Sequence, residues 1–300
     1  MGLWHITRFT LQEAMRRRLF LAVSALSVLL LIMYAFIVHF VAVQSTKGAT
    51  QGGESTQLFM LVSGLFISVP SIWMVYLISG ILTIFLAVGM VSSEIEAGTF
   101  SIIVPKPLRR YEIVLGKWAG HVLLLGGYTA LLYFAFLGII YWQTGYWPDQ
   151  AFSALGMLEL AILALLGLAT LGSTLVSTVV NGAIILILFV SAPLASFIST
   201  VLAIMSSTQT VTLTPSPSLQ NTITVINLII PTDALWHGAA YYLLPIQALN
   251  VLPSQDVSTN VFNLPLINPE QLTTPLLIWV ALYIIVLPAL AIWRFQKRDL

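Results

Sequence analysis

Six long, predominantly apolar runs constrain this chain more than any other feature: 19–43, 71–91, 118–141, 152–176, 182–205 and 274–293. A helix rises about 1.5 Å per residue, so about 20 apolar residues cross the hydrocarbon of a bilayer. Every run reaches that length. Inside lipid each backbone N–H and C=O must be satisfied within the protein, which leaves helices or a closed barrel. Barrel strands alternate apolar and polar residues, and these runs do not. Only 8% of the 300 residues are charged and 58% are hydrophobic. That is too little polar surface to cover a water-soluble globule, where about 25% of residues carry charge. The expected fold class is therefore all-α integral membrane with six transmembrane helices, forming a single transmembrane domain over 1–300.

Charge placement orients the spans. Arg8, Arg16, Arg17 and Arg18 precede the first, Lys106, Arg109, Arg110 and Lys117 lie between the second and third, and Arg294, Lys297 and Arg298 follow the sixth. With six spans these regions fall on one side, so eleven of the twelve basic residues share a face and only Lys47 lies opposite. Basic residues mark the cytoplasmic side. Both termini are expected in the cytoplasm, in a multi-pass protein of the inner (cytoplasmic) membrane. The run after Arg18 has 25 residues, beyond the roughly 7–15 of a signal-peptide core, and is expected to remain as a span.

The segments outside the spans are unequal. Residues 2–18 read as an N-terminal interfacial amphipathic helix: Leu3, Trp4, Ile6, Leu11 and Met15 share one broad face and Arg8, Gln12 and Arg16 another. Leu58–Val91 is too long for one upright span. Either Pro70 breaks it, leaving a short helix at the outer face, or one long tilted helix protrudes. The region 206–273 has no Lys or Arg. Within it Thr222–Ile230 and Asp233–Leu244 are too short to span and read as short extracytoplasmic helices, a hairpin at the outer surface or re-entrant, with Thr232 or Asp233 as cap and Pro245 as stop.

The most patterned stretch is 92–117, between the second and third spans. A plain connection needs only a few residues. Here Glu94 and Glu96 close the second span, Gly98 and Thr99 permit a turn, and Phe100–Val104 offers a short apolar helix. Pro105 and Pro107 stop that helix, and Arg110, Gly116 and Lys117 lead into the next span. Arg109 and Arg110 could meet acidic groups of a partner or anionic lipid headgroups.

The run Glu94-x-Glu96-x-Gly98-Thr99, then Pro107-x-x-Arg110, then Gly116-Lys117, resembles the membrane subunits of ABC-2 type transporters. The ending Arg294–Leu300 and the basic amphipathic N-terminus are similar to that family too. The resemblance implies that 92–117 forms a cytoplasmic coupling helix docking on a separate ATPase subunit, present in two copies. It implies a second permease subunit, identical or homologous, and export with alternating access. Glu94, Glu96, Gly98, Thr99, Pro105, Pro107, Arg110, Gly116 and Lys117 would then be coupling residues.

Other chemistry is not expected. Gly116-Lys117 lacks the remaining glycine and the Ser or Thr of a phosphate-binding loop, since Tyr111 and Trp118 stand there. ATP and Mg would bind the partner, and this chain would hold no cofactor and catalyse nothing itself. There is no cysteine, and His5, His39, His121 and His237 show no metal-ligand spacing. Lipid is an expected partner and nucleic acid is not. Glu159 lies well within a span, and such residues serve packing, the interface or a translocation path. Glu94 and His121 lie near one surface and could pair. Two rival readings remain: an ATP-independent membrane transporter, and a structural subunit that binds a partner through 206–273.

Overall fold

The computed structural model describes residues 2–52, 56–96, 110–207, 224–243 and 272–297. These residues form helices joined by short turns and connections, with no strand among them. In chain order the helices are α1 (Gly2–Arg16), α2 (Arg18–Gly52), α3 (Thr56–Ala87), α4 (Ser92–Glu96), α5 (Arg110–Thr144), α6 (Ala151–Leu175), α7 (Thr178–Ser207), α8 (224–229), α9 (Thr232–Tyr242) and α10 (Thr274–Gln296). Six of them, α2, α3, α5, α6, α7 and α10, are long and apolar enough to cross a membrane. The chain is a multi-pass membrane protein.

α3, α5 and α6 form the centre. α2 packs on α3 and α5, α10 on α5 and α6, and α7 on α6 and α3. The segments of α3 and α6 are largely enclosed, whereas α2, α7 and α10 leave most of their apolar surface facing outward. In lipid such surface carries no penalty, and helices associate through close packing and hydrogen bonds instead. Gly80 shows the packing term: a Cβ there would collide with the ring of Phe189, so the missing side chain lets α7 approach α3. The Phe189 ring lies 5.0 Å from that of Tyr76.

Two ends of the bundle can be told apart. One, here the basic end, carries α1, the α3–α4 turn, the start of α5, the α6–α7 turn and the end of α10. The other is the far end. At the far end tyrosine hydroxyls reach carbonyls at helix ends, the first residue of α6 and the C-cap of α9. Tyr133 donates to Ala151 O at 2.8 Å and Tyr146 to Leu243 O at 2.6 Å. α5 stops at Gly145, whose φ of 71° and bond to Tyr141 O form a left-handed glycine stop.

Pro70 does not break the second span. α3 runs through it from Thr56 to Ala87, and nearby hydroxyls supplement the interrupted ladder. Tyr34 Oη donates to Ile67 O at 2.6 Å and Ser71 Oγ to Ser68 O at 2.6 Å. α7 and α10 likewise continue through Pro193 and Pro288.

The α8–α9 hairpin enters the bundle. α9 packs on α6, α3 and α7, with Leu235, Trp236, Ala239 and Ala240 buried. Its N-cap is Pro231, not Thr232 or Asp233. Both polar side chains turn to other helices, Thr232 accepting from Tyr76 at 3.1 Å and Asp233 from Ser196, while Trp236 of α9 itself also donates to Asp233. Tertiary partners have replaced the local cap.

Candidate functional site

The two ends of the patterned segment 92–117 meet at the basic end, and each is fastened to a different part of the bundle. α3 stops at Ala87, and the turn over 88–91 leads into α4. Gly89 sits at this turn against Thr178, where an added Cβ would lie 3.3 Å from Thr178 Cγ2. Ending a helix leaves carbonyls without partners, and side chains from distant helices collect them. Asn181 Nδ2, fully buried on α7, donates to Val88 O at 2.9 Å and to Ala169 O at 3.0 Å. Lys117 Nζ on α5 donates to Met90 O at 2.9 Å. This places a cation at the C-terminal end of α3, where the helix dipole favours one.

α4 then reaches α7. Ser92 Oγ and Thr178 Oγ1 share a hydrogen at 2.7 Å. Thr178 donates to the Glu96 carboxylate twice, from its backbone N–H to Oε1 at 2.9 Å and from its hydroxyl to Oε2 at 3.2 Å. The carboxylate therefore occupies the N-terminus of α7, satisfying an orphan donor and complementing the positive end of the dipole.

The other end of the segment is held by α1. Thr7, Thr10 and Ala14 form a buried stripe along α1, and it lies on α5 where Gly116 and Gly120 remove side chains. Thr7 Oγ1 donates to Gly116 O at 3.2 Å. A Cβ on Gly120 would stand 2.9 Å from Thr10 Cβ and 3.0 Å from Thr7 O, so the helices cross nearly backbone to backbone. Phe295 near the end of α10 completes the junction. It packs fully buried with Met90, Val91 and Val114. His121, one helical turn after Lys117 on α5, is buried, its Nδ1 donating to Lys117 O at 2.8 Å.

Of the residues singled out by sequence, Glu96, Gly116 and Lys117 thus meet structural partners. Glu94 lies on α4 and Arg110 opens α5, but their side chains are not among those described. Gly98, Thr99, Pro105 and Pro107 lie outside the described residues, as does the short helix expected at Phe100–Val104. Glu159 is elsewhere: half-buried on α6, it lies against α5, with Oε2 3.1 Å from where a Gly126 Cβ would be. Among the described residues no ion pair reaches it.

Sequence reading gave no site role to Thr7, Thr10, Thr178 or Asn181, and placed Phe295 only within the ending Arg294–Leu300. A signal existed for the first two. Gly116-x-x-x-Gly120 is a small-residue pair one helical turn apart, which marks a close helix crossing, though not which helix crosses.

A model of the ABC-2 family transporter proteins matches residues 4–300. The chain is similar to the probable ABC transporter permease protein NosY of Stutzerimonas stutzeri, at 29% identity over 122 residues, 41% of this chain and 39% of that one. It is also 35% identical over 72 residues, 23% of each chain, to the uncharacterized protein YhcI of Bacillus subtilis (strain 168). Each match therefore spans well under half of the curated relative.

Proposed function

Because this chain belongs to the ABC-2 family of transporter proteins, we propose that it is the membrane subunit of an ATP-driven exporter. A separate ATPase subunit, in two copies with ATP and Mg, would dock at the basic end. That end faces the cytoplasm in this reading, as the basic residues before the first span, between the second and third and after the sixth favour, and the membrane is the inner, cytoplasmic one. A second permease subunit, identical or homologous, would complete the pathway. The substrate enters from the cytoplasm or inner leaflet and leaves outward.

One observation supports this reading most: both ends of the segment 92–117 are fastened to the bundle through named bonds. Glu96 grips the start of α7, Lys117 ties α5 to the end of α3, and Thr7 straps α1 onto Gly116. A push on the residues between these anchors would move α3, α5 and α7 together. Gly98, Thr99, Pro105 and Pro107 would shape the docking element, and Glu94 and Arg110 would meet the ATPase. Glu96 and Lys117 would act as struts within this chain. Glu159 would line or gate the path between α5 and α6.

The test is co-expression with candidate ATPase subunits, followed by ATPase measurements on the purified complex. Wild type is expected to retain the ATPase. Glu94→Ala combined with Arg110→Ala is expected to lose binding or substrate-stimulated turnover. Failure of every ATPase to bind the folded wild-type chain would overturn the proposal.

A further inference from the structure

A cavity of about 420 Å³ opens between α3, α7 and α9 in the far half of the bundle. Ser196, on its wall, is 18 residues along α7 from Thr178, or about 27 Å from the basic end. The wall is apolar and aromatic: Trp73 and Leu77 from α3, Phe189, Leu194 and Phe197 from α7, and Trp236 from α9. Set into it is one carboxylate, Asp233, only 1% exposed.

A buried carboxylate is costly unless it is hydrogen-bonded and paired with a cation. Asp233 has the hydrogen bonds. Ser196 Oγ donates to Oδ2 at 2.5 Å and Trp236 Nε1 to Oδ1 at 3.0 Å. Both donors are neutral, and a carboxylate can accept about four bonds. His237 is the nearest cationic candidate, but its Nδ1 stands 3.8 Å from Oδ2 and makes its short contact, 2.9 Å, with the Asp233 main-chain oxygen. A carbonyl only accepts, so that nitrogen's hydrogen is already directed away from the carboxylate. No Lys or Arg among the described residues forms an ion pair with Asp233. The surrounding rings are held in place: Trp236 is stacked at 6.2 Å over Tyr76 and packed at 4.1 Å on His237, and Tyr76 is bonded to Thr232.

We infer that this cavity binds a lipophilic cation, a molecule with an apolar or aromatic body and one positive charge. The body replaces lipid against α3 and α7, ring faces attract the charge, and Asp233 supplies the counter-ion. A neutral apolar molecule would leave the carboxylate unpaired, and an anion would be repelled by it. A hydrated metal ion would find one carboxylate and an apolar wall in place of a ligand shell. The inference rests on the transporter reading and names the class of substrate for it.

Tetraphenylphosphonium and tetraphenylborate are near-equal in size and shape and opposite in charge. Their binding to the full chain in zwitterionic nanodiscs can be measured by equilibrium dialysis. Saturable binding of the phosphonium alone is expected. Asp233→Asn should weaken it at least tenfold. Leu194→Trp, which fills the cavity mouth from the half-exposed side of α7, should do the same without touching the acid. Equal saturable binding of both ions, no saturable phosphonium binding by wild type, or binding unchanged by either variant would overturn the inference. If Asp233→Asn does not fold, the ion comparison and Leu194→Trp decide alone. A chain that retains its ATPase yet fails these tests sinks the inference and leaves the exporter reading standing.

Discussion

At the scale of single residues, Asn181 joins three helices through one amide. Its amide joins the broken end of α3 to α6 from its own place on α7. Hydrogen bonds between membrane helices are worth about 0.6 kcal/mol each on average. Asn181→Leu should therefore lower stability by about 1 kcal/mol, read from an unfolding titration in detergent. Gly172 faces this amide so closely that an added methyl would collide with it. Gly172→Ala should destabilise as well, and most of that cost should vanish in the Gly172→Ala/Asn181→Ala double variant, since a contact that has been removed cannot clash. Glu96 offers a sharper functional test. As a strut it should leave ATPase association intact when changed to Ala while substrate-stimulated turnover falls severalfold; a docking residue would lose both. Glu96→Gln keeps an acceptor for Thr178 and should retain most turnover. The charges at 94, 96, 110 and 117 were legible because charge at a span end stands out in an apolar chain. Their partners were not. Thr178 lies 82 positions from Glu96, and only the order of helices around the bundle brings the two together.

At the scale of elements, α1 shows how a face can be hidden in plain sequence. Its apolar and basic residues read as two faces of an interfacial helix, but the stripe that binds α5 is Thr7, Thr10 and Ala14, set between Ile6 and Leu11 within the apolar side. Small polar residues carry little hydropathy signal, so periodicity passes over them. Trp4 and Phe9 remain exposed. Gly120→Leu should lift α1 from α5, detected as faster hydrogen exchange over residues 2–16. The α4–α7 joint can be tested by cross-linking. The native chain has no cysteine, and the Ser92 and Thr178 hydroxyls are 2.7 Å apart, so Ser92→Cys/Thr178→Cys should form a disulfide under mild oxidation. If the joint moves as one rigid piece, stimulated turnover survives the cross-link; a joint that opens during the cycle would be inactivated. The long apolar runs were legible because length alone decides a span. Continuity through Pro70 was not, since the hydroxyls that bond the carbonyls beside it come from Tyr34 and Ser71, one of them on another helix.

At the scale of the whole molecule, the orientation proposed from charge can be checked directly. Trp142→Cys, at a side chain 90% exposed at the far end, should react with an impermeant maleimide added to intact cells. Lys297→Cys should react only after permeabilisation. The reverse pattern would invert the exporter. The buried acid of α9 lay in the sequence as an ordinary capping residue; its surroundings depend on three helices and could not be read locally. The strap between Thr7 and Gly116 has a further consequence, in time. Its two ends are 109 residues apart. At roughly 5–20 residues per second of synthesis, α1 leaves the ribosome several seconds before the groove that receives it exists. Its exposed aromatics and arginines give it a resting place at the lipid surface during that wait. The strap closes only once the third span has been inserted, making it a late step in assembly.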